Sequence, residues 1–408
     1  MRLKYQMLIT ATKGSLFAIS LLLAGCSTGS MHAPAPAPVP APAPPPPPDE
    51  QIETDIKLIT APKQPLEGGI AKPPTSSYEN VIIRTFYATN RNATGSLQAY
   101  GAYGREEGPL SYGVADVSIP RDHRLGRMEA PFLGLKALES PRNDLMLLGI
   151  QAVTRDQLLA AIHEKIRESK GKSALVFIHG YTASFEDAAR RTAQMSYDLG
   201  FDGAPIFYSW PSQEAMPAYR DDEKIIERAT PKIKKFLSDI FQETDAQNIY
   251  LVAHSMGNRG MAVAISELLN EKPAIRPRLK QLILTAPDIG VDEFKGISTA
   301  LVNAGAPVTL YASSQDKALL ASKVVNSTQR IGDTNQVVTV VKGIETIDAS
   351  DVSTDFLGHS YFAENGSVVS DMFYLFRTDL RPEHRFNMKT ISSAEGAYWK
   401  FKPGLCEP

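Results

Sequence analysis

Between Ser173 and Gly343 the chain alternates short, almost uninterrupted apolar runs with helical stretches such as FEDAARRTAQMSYDLG and PKIKKFLSDIFQET. The apolar runs predict strands: SALVFIHG (173–180), APIFYSW (204–210), NIYLVAH (248–254), KQLILTAP (280–287), APVTLYASS (306–314) and QVVTVVKG (336–343). A strand that is apolar on both faces must be buried on both, so strand alternating with helix implies a parallel sheet covered by helices on either side. Ahead of these, VIIRTFYATN (81–90), LSYGVADVSIP (110–120) and LMLLGIQAV (145–153) read as strands from their β-branched and aromatic content, with GSLQAYGAYGREEG as a glycine-rich loop between the first two. These three predict an antiparallel edge to the sheet. Polar residues gather just past the C-terminal ends of the later strands, where open α/β sheets place their ligands.

The pattern is different at the N-terminal end. Arg2, Lys4 and Lys13 precede the apolar run Leu16–Leu23, which is too short to span a bilayer and stands in signal-peptide order. It closes on Leu23-Ala24-Gly25-Cys26, which resembles a bacterial lipobox, with cleavage before Cys26 and a lipid on that cysteine. Ser27 after the cysteine is similar to lipoproteins sorted to an outer membrane. From Ala33 to Pro48 the chain is nearly all alanine and proline, a stiff extended spacer of about 3.1 Å per residue that would hold the folded part roughly 50 Å from the membrane. The predicted organisation is a lipoprotein signal peptide (1–25), a disordered Pro/Ala-rich tether (26–79), one α/β domain (80–380) and a C-terminal tail (381–408).

Composition narrows the function classes. The formal net charge is −2 and there is no Lys/Arg tract, which argues against a nucleic-acid partner. There are two cysteines, Cys26 and Cys406; with the first carrying lipid, no internal disulfide can form. No H-E-x-x-H, no zinc-like Cys/His spacing and no phosphate-binding glycine loop occurs, so neither a metal nor a cofactor is expected. Asp221, Asp222 and Glu223 form a short acidic run that reads as a solvated helix start.

The chemistry converges on NIYLVAHSMGNRG (248–260). This is strand, tight turn and helix with Ser255 at the apex, flanked at two residues' distance by the small Ala253 and Gly257, as a crowded nucleophile turn demands. Serine is a weak nucleophile, so it needs a base and a group to orient that base. In the order serine, acid, histidine, only His359 and His384 of the seven histidines follow the serine and lie clear of it. His359, in DFLGHSYF after the last predicted strand, is the candidate base; His384 sits among charges in RPEHRF. Asp316, after APVTLYASS, is the candidate acid, and Asp288, after KQLILTAP, is the alternative; either could instead cap a helix. The expected oxyanion donors are the backbone N–H groups of Met256 and of Tyr181, the latter in the loop after FIHG where Gly180 allows close approach. His179 reads as an orienting residue for that loop.

With those residues in place the chain resembles a bacterial α/β-hydrolase family, esterase- or lipase-like and of unknown function, over roughly Val81 to Arg377. The likeness rests on RTFYATNR, LVFIHGYTASFEDAARR, YSWPS followed by Tyr219 and Asp222, AHSMGNR, LTAPDIGVDEF, YASSQDKAL and LGHSYF. It implies an α/β-hydrolase fold with Ser255 as nucleophile, Asp316 as acid and His359 as base. Thr182 departs from the pattern, since relatives often have asparagine there. The expectation is a lipid-anchored serine hydrolase of the bacterial cell envelope, at the outer membrane facing the periplasm, cleaving an ester or related acyl bond. The alternative is a non-catalytic scaffold or binding lipoprotein on the same fold.

Overall fold

The structure, a computed structural model, describes residues 80–129, 139–316, 318–319, 322, 326, 328–352, 366–378 and 380–402. The expected signal peptide, Cys26, the tether, His359 and Cys406 lie outside them. All of the described residues fall in one compact unit.

Eleven strands among the described residues form one sheet: β1 (Val81–Ala93), β2 (Tyr103–Ile119), β3 (Met146–Val153), β4 (Ser173–Ile178), β5 (Ala204–Ser209), β6 (Asn248–His254), β7 (Leu279–Thr285), β8 (Val308–Ala312), β9 (Glu345–Asp348), β10 (Met388–Ser393) and β11 (Gly396–Phe401). Their order is β10-β11-β9-β8-β7-β6-β4-β5-β1-β2-β3. Pairing is parallel from β1 through β5, β4, β6, β7, β8 and β9 to β11, and antiparallel in β1–β2–β3 and in β10–β11. The α-helices that lie wholly among the described residues are α1 (Arg155–Glu168), α2 (Phe185–Asp198), α3 (Tyr219–Glu243), α4 (Gly257–Glu271), α5 (Val291–Asn303) and α6 (Gly366–Arg377).

The two faces of the sheet separate residue by residue, as a period of two requires. In β4, Ala174, Val176 and Ile178 enter a core shared with α1, α3, α4 and α5. Leu175 and Phe177 enter the opposite core, with α2 and α6. Each fully buried large apolar side chain contributes roughly 1.5–3 kcal/mol. Helices α1 and α2 both start on capping boxes, Thr154 with Gln157 and Ser184 with Asp187.

Three sequence expectations change. QVVTVVKG (336–343) is not a strand; the strand lies just beyond, at β9, where the chain pairs with β8 through Thr309↔Glu345. The expected tail 381–408 instead carries β10 and β11, and β11 adds to β9 through Trp399↔Ile347. β2 begins at Tyr103, inside the expected glycine-rich loop. Helix α3 begins at Tyr219, just ahead of the acidic run 221–223 read as a helix start, and carries Pro231 in its interior. That proline costs one backbone hydrogen bond, offset by the continuous buried face Ile225, Ile226, Ala229, Ile233 and Phe236.

Candidate active site

Helix α4 has to start hard against the sheet. A Cβ on Gly257 would stand 2.3 Å from the backbone oxygen of His179 and 2.9 Å from that of Ile178, so only glycine fits. The chain leaves β6 and turns into α4 through Ser255, whose φ is 51°, a left-handed value that side chains rarely adopt. Neighbouring backbone holds it there. Ser255 N–H donates to the Thr285 carbonyl at 3.0 Å, and Asp288 N–H donates to the Ser255 carbonyl at 3.2 Å. The Asn258 side-chain amide donates to the Ser255 carbonyl at 2.9 Å and the Thr285 carbonyl at 3.0 Å. The serine is buried, and its Oγ has no hydrogen-bond partner among the described residues. Met256 stands at the N-terminus of α4, which has no side-chain cap, so its first N–H groups and the positive end of the helix dipole lie beside the serine.

The loop after β4 presses on this turn from the other side. A Cβ on Gly180 would lie 2.8 Å from the Ser255 Cβ, which places the Gly180–Tyr181 backbone directly against the serine. The loop is fastened on every side. His179 stacks on Trp210 with ring centroids 5.2 Å apart, and Trp210 Nε1–H donates to the His179 carbonyl at 2.8 Å. The His179 Nδ1 contacts the Gly180 carbonyl at 2.7 Å and its Nε2 the Ser209 hydroxyl at 3.1 Å; the carbonyl accepts only, so Nδ1 carries the proton. Burial, reinforced by the nearby Arg91 charge, pushes the His179 pKa down to about 3, so the ring is neutral at ordinary pH. Arg91, buried at the end of β1, donates through Nη2 to the Ala183 carbonyl at 2.6 Å and through Nε to the Ser209 hydroxyl at 2.8 Å. Burial draws its pKa down to about 10, which leaves it charged.

The acidic run at 221–223 does open a helix, but Asp222 is fully buried rather than solvated. It accepts from the Ser212 hydroxyl at 2.7 Å, the Gln213 N–H at 2.8 Å and the Thr182 N–H.

The two candidate acids have different surroundings. Asp316 follows β8 and is buried; its Oδ1 accepts the Leu319 N–H at 2.9 Å, in the manner of a helix cap. Burial first, and then the charges of Asp288, Asp316 and Asp222, raise the Tyr181 pKa, so all three carboxylates lie within electrostatic reach of the loop. Asp288 is committed elsewhere. Its Oδ2 accepts from the Tyr219 hydroxyl at 2.6 Å and its Oδ1 from the Ser322 hydroxyl at 2.6 Å, with Arg330 Nε 3.1 Å from the same oxygen. Its carbonyl accepts from Arg259 Nε at 2.6 Å. His384 is exposed on a short 3-10 turn.

The structure thus brings Ser255, Met256, Gly180 and Tyr181 together at the ends of β6 and β4, with Asp316 at the end of β8. Arg91, Asn258 and Asp222 are supports that the sequence reading did not assign. For Arg91 the available signal was a charged residue inside the strand-like run VIIRTFYATNRNA.

No curated protein matches the chain. Among solved structures, Est1E from Butyrivibrio proteoclasticus is 12% identical, with 65% of this chain and 95% of that one covered and a TM-score of 0.31. The Pyrobaculum calidifontis esterase is 12% identical, with 72% and 85% covered and a TM-score of 0.31. A structure from an analysis of two fungal esterases from Rhizomucor miehei is 10% identical, with 72% and 83% covered and a TM-score of 0.30. Residues 154–376, more than half of the chain, match the family described as alpha/beta hydrolase of unknown function (DUF900), and the chain belongs to that family.

Proposed function

We propose that this α/β hydrolase is a serine hydrolase of ester or related acyl bonds, with Ser255 as nucleophile, His359 as base and Asp316 as the acid that orients it. The observation that carries the reading is the backbone at Ser255. A left-handed serine between a strand and a helix without a side-chain cap, with a glycine backbone pressed against its Cβ, supports a nucleophile turn of the kind that sets a hydroxyl beside backbone N–H donors. The commitment of both Asp288 oxygens to Tyr219, Ser322 and Arg330 favours Asp316 over Asp288.

In this mechanism His359 takes the Ser255 proton as the oxygen attacks the acyl carbonyl. The oxyanion is held by the N–H groups of Met256 and Tyr181. Collapse expels the leaving group with the proton from His359, and water, deprotonated by the same histidine, releases the acyl group from the serine. We place the enzyme at the bacterial cell envelope, tethered by lipid on Cys26 at the outer membrane and facing the periplasm, on the strength of the N-terminal sequence alone.

The test is covalent labelling of the purified chain by a fluorophosphonate probe. Wild type is expected to label at Ser255, Ser255→Ala not at all, and His359→Ala at least about a thousandfold more slowly. A folded wild type that takes no label would sink the proposal.

A further inference from the structure

We infer that the first turn of α3 is the clamp that shapes the oxyanion loop, with Asp222 as its positioning residue; this rests on the serine-hydrolase reading above. Thr182 has a φ of 60° and so, like Ser255, is a non-glycine residue held in the left-handed region. Its conformation sets the direction of the peptide just before it, and so of the loop that lies on Ser255. Unlike glycine, a threonine with a branched Cβ does not rest there unaided.

What holds it is Asp222. Its carboxylate accepts the Thr182 N–H while its two oxygens also take the Gln213 N–H and the Ser212 hydroxyl. One buried side chain therefore joins the loop after β4, the turn after β5 and the start of α3. Two peptides further along, Arg91 takes the Ala183 carbonyl at 2.6 Å. The loop is held by a buried acid and a buried arginine.

The same helical turn also controls the side chain on the loop. Tyr219, three residues before Asp222, packs its ring against Tyr181, edge to face, with centroids 5.5 Å apart and planes at 80°. The Tyr219 hydroxyl is itself fixed by donating to Asp288 at 2.6 Å and accepting from Arg259 Nη2 at 3.1 Å. Residues 219 and 222 thus grip the two halves of the Tyr181–Thr182 pair, one by the ring and one by the backbone.

Asp222 does not need its charge near the reacting oxygen; a carboxylate there would oppose an oxyanion. Its function is the geometry of the loop, and its removal should slow the chemical step without weakening substrate binding. The experiment uses the full chain, a fluorophosphonate probe and p-nitrophenyl butyrate. Asp222→Ala is expected to lower the labelling rate and kcat by roughly 10²–10³, the usual effect of losing one oxyanion donor, with KM within about threefold of wild type. Asp222→Asn keeps the shape and one acceptor oxygen, so it gives a folded protein with an intermediate loss even where the alanine variant does not fold. Adding Thr182→Gly to Asp222→Ala should recover tenfold or more, because glycine adopts the left-handed conformation without a clamp; a merely structural aspartate would not be rescued from position 182. Wild-type labelling together with Asp222→Asn and Asp222→Ala variants that label within threefold of it would overturn the clamp and leave the serine-hydrolase reading intact. A folded wild type that never labels would overturn both.

Discussion

At Ser255 a single residue shows the conflict between stability and chemistry. A non-glycine residue in the left-handed region costs about 1–2 kcal/mol, and Ser255 stays there because Thr285, Asn258 and Asp288 all bind its backbone. Ser255→Gly relieves that strain and adds some unfolded-state entropy, for a net gain on the order of 0.5–1 kcal/mol. Thermal or denaturant unfolding should show the glycine variant more stable than wild type while labelling is lost; a variant of lower stability would mean the turn is not strained. This residue was legible in the sequence because its demands are local: Ala253 and Gly257 lie two positions away on either side. Asp222 was not legible. Its partners Thr182, Ser212 and Gln213 come from two other loops, and in the one-dimensional pattern it is one of three adjacent acids.

Elements were readable where burial alone decides them. β4, β5, β6 and β7 are apolar on both faces, and their runs stand out from the polar stretches around them. β9 fails that test for a physical reason. It carries the charged Glu345 and Asp348, which find partners within the fold: Glu345 meets Arg385 at 3.1 Å and Arg381 at 3.2 Å, and Asp348 meets Lys400 at 3.0 Å. All three partners come from the C-terminal stretch. The β-branched run before it has the propensity of a strand but ends only half-buried or exposed, with Val337 in solvent, because it lies outside the sheet. Propensity lost to pairing.

The segment after β2 is held by a different device. His123 lies between two carboxylates, Nδ1 2.7 Å from Glu129 and Nε2 2.8 Å from Asp198 at the end of α2. Burial works to lower its pKa, but hydrogen bonds to Asp198 and Glu129 and their charges more than offset this and lift it to about 9. The folded value is therefore above the unfolded one of about 6.5. The stabilisation is present in full below about pH 6.5 and is lost as pH rises through about 9. Melting temperature measured from pH 6 to pH 10 should fall more steeply in wild type than in His123→Gln; equal slopes would remove His123 as the cause.

For the whole molecule, the least legible part was its last edge. Residues 381–402 complete the fold: Met388, Trp399 and Phe401 enter the core on the α2 and α6 side, and Arg385 inserts between Glu345 and Asp371. Burial raises the Asp371 pKa to about 6 even with Arg385 beside it, so without that arginine the carboxylate would be buried with little compensation. A chain ending at Leu380 loses three buried apolar side chains at about 2 kcal/mol each. It also breaks a buried ion pair at roughly 3–5 kcal/mol, which together rival the whole stability of a typical domain. It further bares the β9 edge to other chains. The expected result is aggregation or the loss of cooperative unfolding, seen by circular dichroism and sedimentation; a monomer with a sharp transition would show that the hairpin is dispensable.

The stacking of Trp210 on His179 also has an optical side. The chain has two tryptophans, one against the loop beside Ser255 and the other, Trp399, in the C-terminal hairpin. Because His179 remains neutral down to about pH 3, no imidazolium forms next to the Trp210 indole at ordinary pH to quench its emission. With Trp399 replaced by phenylalanine, the remaining fluorophore is built into the wall of the reaction site, so the protein carries its own light-emitting gauge of that loop.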